Sequence, residues 1–256
     1  MTEPSHALTD DALTVDFRVW QRRRGHRYSL DDVLTAHEAA CAAPDARRVL
    51  DLGTGIGSVL LMVAWRLPEA RLVGVEAQAG SLALARRNVE RNGLGSRAVL
   101  AGGDLRDARL LDALPGAPYD LVTGTPPYFP PGTATPSPDP QRAHARHELR
   151  GGVEAYLQAA VRRLAPRGRV VMCADARWPE RVTDTAGRLG LALLRRRDVV
   201  PREGAPPLFT VWVLGRGDGG AAVDATAPFV ARDASGRRTR AYRELRASFG
   251  FAIGSP

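Results

Sequence analysis

Apolar and polar positions along this chain repeat with two alternating periods. Residues 15–20 alternate one by one, as a half-buried strand does. Strand-like apolar runs recur at 48–52, 72–75, 98–101, 120–123, 169–173, 191–200 and 208–214. Between most of them the period lengthens to that of a helix, over 58–67, 80–91, 107–114, 153–164 and 180–189. Ser29 is placed to cap a further helix reaching about residue 43, with Asp31 and Asp32 in its first turn, where carboxylates meet the positive helix end. Asn92-Gly93 and Gly168 sit where turns are needed. Strands alternating with helices predict βαβ units and an α/β fold with a mostly parallel sheet covered on both faces. The last two strands are joined by a loop holding Pro201, Pro206 and Pro207, so they are expected to form an antiparallel hairpin at one edge.

The remaining segments are irregular. Residues 1–14 are polar and expected to be mobile, and Arg22, Arg23, Arg24, Gly25, His26 and Arg27 read as a basic turn. Residues 126–141, rich in Pro, Ser and Thr, form the one long loop before the tail, a length that points to function or disorder. Residues 215–227 read as a linker, followed by a short strand-like piece and an Arg-rich helix over 238–248. The chain thus divides into an N-terminal strand/helix element packed on the core (1–44), the core (45–216) and a linker with an Arg-rich extension (217–256).

Composition narrows the class. The chain has 256 residues, of which 44% are apolar and 25% charged, which suits a globular protein and excludes a disordered one. No apolar run approaches the roughly 18 residues that span a bilayer, and the opening residues lack the pattern of a leader peptide. Cys41 and Cys173 are too far apart in the chain to suggest a disulfide framework or a zinc cluster. We therefore expect a cytoplasmic protein with no membrane partner. The net charge is +8, and all 36 basic residues are Arg. A bias against AT-rich codons accounts for Arg replacing Lys, but not for base exceeding acid. The surplus points to a polyanionic partner, with a solvated basic surface as the plain alternative.

The candidate chemistry gathers at strand ends. Asp51, Gly53, Gly55 and Gly57 close one strand and open a helix in a Gly-x-Gly-x-Gly spacing, unlike the Gly-x-Gly-x-x-Gly of dinucleotide sites. An acidic residue before that loop suits a cationic ligand end better than a pyrophosphate. Glu76 ends the second strand of the alternating region, where a carboxylate can accept from both ribose hydroxyls. Asp104 follows the third, where an adenine amine can be met. Thr125, Pro126, Pro127 and Tyr128 follow the fourth. Two acceptors, a side-chain oxygen and the carbonyl beside the first proline, can bind both hydrogens of an exocyclic amine and aim its lone pair. Tyr128 can then stack on the acceptor base.

These residues resemble the class I S-adenosylmethionine-dependent methyltransferases over about residues 48–214, which implies a Rossmann-like, doubly wound, seven-stranded sheet with an antiparallel last strand. The residues at 27–34, Phe129, and Thr239, Tyr242, Leu245 and Phe249 are similar to the bacterial tRNA adenine-N6 methyltransferases. By that likeness Asp51, Gly53, Gly55, Glu76 and Asp104 bind S-adenosylmethionine, Asp31 lies near its methionine end, and Thr125, Pro126, Pro127 and Tyr128 hold the target amine of a tRNA or other RNA. The chain departs from the pattern at Thr125, where Asn or Asp is usual, and a hydroxyl accepts with a different geometry. Methylation of a protein glutamine side chain or a small metabolite is the rival reading. A catalytically decayed S-adenosylmethionine- or RNA-binding protein is another. A nicotinamide-dependent oxidoreductase fits the glycine spacing poorly. His144 and His147 have helical ligand spacing without a third partner, so a polar segment at 140–150 over the substrate mouth is preferred to a metal site. Arg146 and Arg150, the basic turn, and Arg237, Arg238, Arg240, Arg243 and Arg246 are candidate phosphate contacts. Trp65 and Trp212 read as core, while Trp20 and Trp178 have no assigned role.

Overall fold

The computed structural model describes residues 7–217 and 224–253. It opens with a hairpin of β1 (Leu8–Ala12) and β2 (Arg18–Arg22), with Leu8 opposite Arg22 and Ala12 opposite Arg18. Residues 8–12 are thus ordered, contrary to the mobile segment expected from their polarity. The part of that expectation covering 1–6 lies outside the described residues. The strand expected at 15–20 begins later because Thr14 Oγ1 accepts from the Phe17 N–H at 2.9 Å and folds 14–17 into a turn. Ion pairs anchor the acidic strand. Asp10 meets Arg18 and Arg91, and Asp11 meets Arg27.

The core follows as α1 (Leu30–Ala42), β3 (Arg48–Leu52), α2 (Ser58–Arg66), β4 (Arg71–Glu76), α3 (Ala79–Arg91), β5 (Ala98–Gly102), α4 (Ala108–Ala113) and β6 (Tyr119–Gly124). Then come α5 (Pro140–Arg146), α6 (Val153–Arg163), β7 (Leu164–Asp175), α7 (Glu180–Arg188), β8 (Leu191–Val200) and β9 (Phe209–Arg216). The seven long strands lie in the order β5-β4-β3-β6-β7-β9-β8. The first five pair in parallel, and β9 runs antiparallel to both β7 and β8. The expected α/β sheet and its edge hairpin are borne out. Two short strands, β10 (Asp224–Ala225) and β11 (Phe229–Val230), extend the edge along β8. Residues 218–223 of the expected linker lie outside the described residues.

Alternate side chains of each strand point to opposite faces, so the sheet carries two apolar layers. Val49, Leu121, Val171 and Val211 pack with α1, α2 and α3 on one side. Leu50, Val122, Val170 and Trp212 pack with α4, α6 and α7 on the other. Trp212 is fully buried, as its apolar surroundings in the sequence suggest. The tail returns as α8 (Arg240–Ala247), capped by Thr239, and buries Leu245 and Phe249 in the first layer.

Two side-chain amides dock β2 onto α3. Asn88 accepts from the Trp20 N–H at 2.7 Å and donates to the Trp20 carbonyl at 3.0 Å. Asn92 does the same with Arg18, at 2.9 and 2.8 Å. Four residues of helix rise about 6.0 Å and two of strand about 6.6 Å. An i,i+4 pair of amides therefore matches the strand's outward-facing backbone groups as a second strand would.

Candidate active site

The carboxyl ends of β3, β4, β5 and β6 open onto one cleft, at the point where the strand order reverses. Asp51, Gly53, Gly55, Glu76, Asp104, Thr125 and Pro127 line it together. Gly53, Gly55 and Gly57 all have positive φ. At Gly53 a Cβ would also collide with the Tyr156 ring, 2.9 Å from Cζ. That loop turns the chain sharply into α2 and leaves its backbone facing the cleft.

Asp51 is 2% exposed and accepts from Thr54 Oγ1 at 2.5 Å and Thr123 Oγ1 at 2.7 Å. Burial pushes its carboxyl up to about 6, against the pull of those two hydroxyls. Glu76 is 6% exposed and accepts from the N–H groups of Gln78 and Gly55, at 2.6 and 2.8 Å, and burial raises its pKa. Asp104 differs. Arg106 holds both its oxygens, at 3.0 and 2.7 Å, and the pKa falls.

Sequence reasoning passed over Asp32. It lines the cleft beside Ser58, whose hydroxyl donates to Oδ1 at 3.2 Å, while the Ser29 N–H donates to Oδ2 at 2.8 Å. Burial, and then the neighbouring Asp31 charge, push its carboxyl up to about 8. Among the described residues no guanidinium forms an ion pair with Asp32, Asp51 or Glu76. Arg150 is the cation that lines the cleft and it bears on Glu76 and Asp104. The buried Asp32 and Asp51, which have no cationic partner of their own among the described residues, therefore favour a ligand that brings positive charge. The only signal for Asp32 in the sequence was its place next to Asp31 in the first turn of α1. Tyr156 carried none, being one apolar position of α6.

Asp31, Pro126 and Tyr128 are not among the residues that line the cleft. The Tyr128 hydroxyl lies 3.2 Å from the Asp31 carboxylate and 3.0 Å from Cys173 Sγ, and its ring stacks on Phe209 at 6.3 Å. The ring expected to stack on an acceptor base is therefore engaged in the core beside the cleft.

The loop expected at 126–141 ends in α5, which Asp139 caps from the Arg142 N–H at 3.0 Å. That helix forms one wall. Gln141, His144 and Arg150 line the cleft, Gln141 accepts from the His26 N–H at 3.3 Å, and Arg22 pairs with Asp139 at 2.7 Å. His147 instead is buried against Phe129, with ring centroids 5.4 Å apart.

The sequence profile of the methyltransferase small domain family matches residues 32–183. A Porphyromonas gingivalis protein named tRNA1(Val) (adenine(37)-N6)-methyltransferase is 34% identical over 168 residues, 64% of each chain. The chain thus spans just under two thirds of that relative's length. A Bacteroides fragilis protein of the same name is 30% identical over 195 residues, 76% of this chain and 79% of that one. Among solved structures, a predicted O-methyltransferase from Agrobacterium tumefaciens superposes with a TM-score of 0.63 at 18% identity, covering 86% of this chain and 97% of its own. That likeness is one of fold.

Proposed function

The chain belongs to the methyltransferase small domain family, and on that premise we propose that it transfers a methyl group from S-adenosylmethionine to adenine N6 of a tRNA in the cytoplasm. The observation that carries this reading is the cleft's charge. Asp32 and Asp51 are buried, form no ion pair with a guanidinium among the described residues, and line the same cleft as Thr125 and Pro127. When bound, S-adenosylmethionine supplies an electrophilic methyl on a sulfonium, together with an ammonium. The donor set fits that charge. In this reading Asp51 and Asp32 hold the cationic end, the backbone at Gly53 and Gly55 borders the ligand, Glu76 accepts from the ribose hydroxyls, and Asp104 borders the adenine. Asp31 acts at one remove, through Tyr128.

On the acceptor side the chain's task is to orient an amine whose lone pair is delocalised into a ring. Thr125 Oγ1 and the Pro126 carbonyl accept its two hydrogens and turn the lone pair towards the methyl. Pro127 fixes the direction of that carbonyl. Tyr128 supports this turn from the core, its ring on Phe209 and its hydroxyl held by Asp31 and Cys173. The core of residues 45–216, joined by Asp31 and Asp32 of the flank before it, carries this chemistry, and arginines of the flanks 1–44 and 217–256 meet the polyanion. No helix among the described residues is long and apolar enough to cross a membrane.

Thr125 supports a second reading. A hydroxyl in place of a carboxamide can suit another planar acceptor, such as a protein glutamine. Incubation with methyl-labelled S-adenosylmethionine and separate pools of tRNA, ribosomal RNA, protein and metabolites decides between them. We expect label in tRNA, recovered as N6-methyladenine. Label confined to protein or metabolites would overturn the tRNA reading, and none in any pool would overturn methyl transfer.

A further inference from the structure

Two clusters of arginine, at 22–27 and 237–246, lie near the ends of the chain, and the fold brings members of each to one cleft. The loop after β2 and helix α8 border an open cleft lined by Arg27, Arg238, Arg246, Tyr28 and Tyr242. Asp11 is the one carboxylate among its lining residues. Asp11 is already engaged, accepting from Thr9 at 2.6 Å, Gln21 at 2.9 Å and Arg27 at 3.0 Å.

Arg238 and Arg246 form no ion pair among the described residues. Each lies over an aromatic ring instead, Arg238 at 4.8 Å from the Tyr242 centroid and Arg246 at 3.5 Å from that of Phe251. A ring takes the face of a guanidinium and leaves its in-plane N–H fork to an anion. Three other cations near these ends are committed elsewhere. Arg240 pairs with Glu244 at 2.7 Å, Arg243 donates to the Arg238 carbonyl at 2.6 Å, and Arg22 is held by Asp139. Tyr28 lines both this cleft and the candidate active site, so the two spaces are neighbours across one side chain.

Building on the RNA reading above, we propose that this cleft binds the phosphodiester backbone of the RNA whose base enters the adjoining site. Arg238 and Arg246 clamp its phosphates, and Tyr242 offers a stacking face beside them. The two arginines act together because α8 fixes one and the turn before it the other.

The test is binding of a fluorescein-labelled, unmodified tRNA transcript to the full chain from about 50 to about 200 mM salt. Arg238→Gln with Arg246→Gln is compared with Arg47→Gln with Arg71→Gln, two exposed arginines at the amino ends of β3 and β4, away from the cleft. Each lost phosphate contact removes roughly 0.7–0.9 from the log–log salt slope. The first double variant should therefore lose about 1.4–1.8, with unchanged S-adenosylmethionine affinity as evidence that it is folded, and the second should keep the wild-type slope. A wild-type slope in the first variant, an equal loss in the second, or no tRNA binding by the wild type would overturn the cleft. Methylation of each tRNA complex is read in parallel. Label in tRNA with an indifferent first variant leaves the methyl-transfer reading and removes the cleft. The expected slope loss with no label leaves the cleft and removes the chemistry.

Discussion

At the scale of single residues, Asp32 sets the cleft's response to pH. In the unfolded chain its carboxyl ionises near 3.8, and in the fold it does so at about 8. Below the lower value both states hold the proton and stability is unaffected. As pH rises past it, the unfolded chain releases the proton first, so Asp32 erodes stability up to about pH 8. A cationic ligand favours the ionised form, so binding expels the proton, and S-adenosylmethionine affinity should climb between pH 6 and 8, by at most about tenfold per unit. Asp32→Asn should flatten that climb and weaken binding while raising the melting temperature at neutral pH. Calorimetry over the pH range checks both, and an unaltered profile in the variant would remove Asp32 from the site. Thr125 poses a sharper question. If it serves an adenine amine as a short acceptor, Thr125→Asn should keep or raise the methylation rate. If the pocket is shaped round another acceptor, Asn should depress the rate and Thr125→Ser should keep it. Tyr128→Ala would confuse the two by emptying core space beside Phe209, so Tyr128→Phe is the informative change. It keeps the ring and removes the contact with Asp31 and Cys173.

Among elements, the docking of β2 on α3 depends on side-chain amides, not apolar surface. Asn88 is fully buried and also donates to the Ile56 carbonyl at 2.9 Å, so it ties the N-terminal hairpin to the glycine loop. Asn88→Ala leaves three backbone groups without their partner and should cost about 1–3 kcal/mol, the worth of a buried unsatisfied group. The loss should appear as a lower denaturant midpoint and faster hydrogen exchange at Trp20. Asn92→Ala, at an exposed edge, should cost less because water replaces the amide. Exchange at Trp20 unchanged in Asn88→Ala would mean that the hairpin is held by its ion pairs instead. The helices and parallel strands were legible because their apolar periods differ. The hairpin was not, since β1 is ordered by pairing and by Arg18, Arg27 and Arg91, and hydropathy registers neither.

For the molecule as a whole, ligand and fold are linked, because the cleft draws on the ends of four strands, the loop before α1, and α5. Saturating S-adenosylmethionine at about a hundred times its dissociation constant should add about 2.7 kcal/mol of stability, seen as a rise in melting temperature. Glu76→Ala should shrink that rise by weakening binding about 1.5–3 kcal/mol, and an equal rise in the variant would show that Glu76 bears no ligand. The sequence by itself determined the alternation of strand and helix, the antiparallel edge, and the acids that follow successive strands, because each is written in local periodicity and in residues at the ends of apolar runs. Only the tertiary structure decided which of those residues share a wall. Asp31 and Asp32 are neighbours in the chain, yet the pitch of α1 turns one to Tyr128 and the other to the cleft. Arg27 and Arg246, far apart in the chain, line one cleft. A helix period and a sheet order bring distant positions together and part adjacent ones, and neither result is contained in the spacing along the chain.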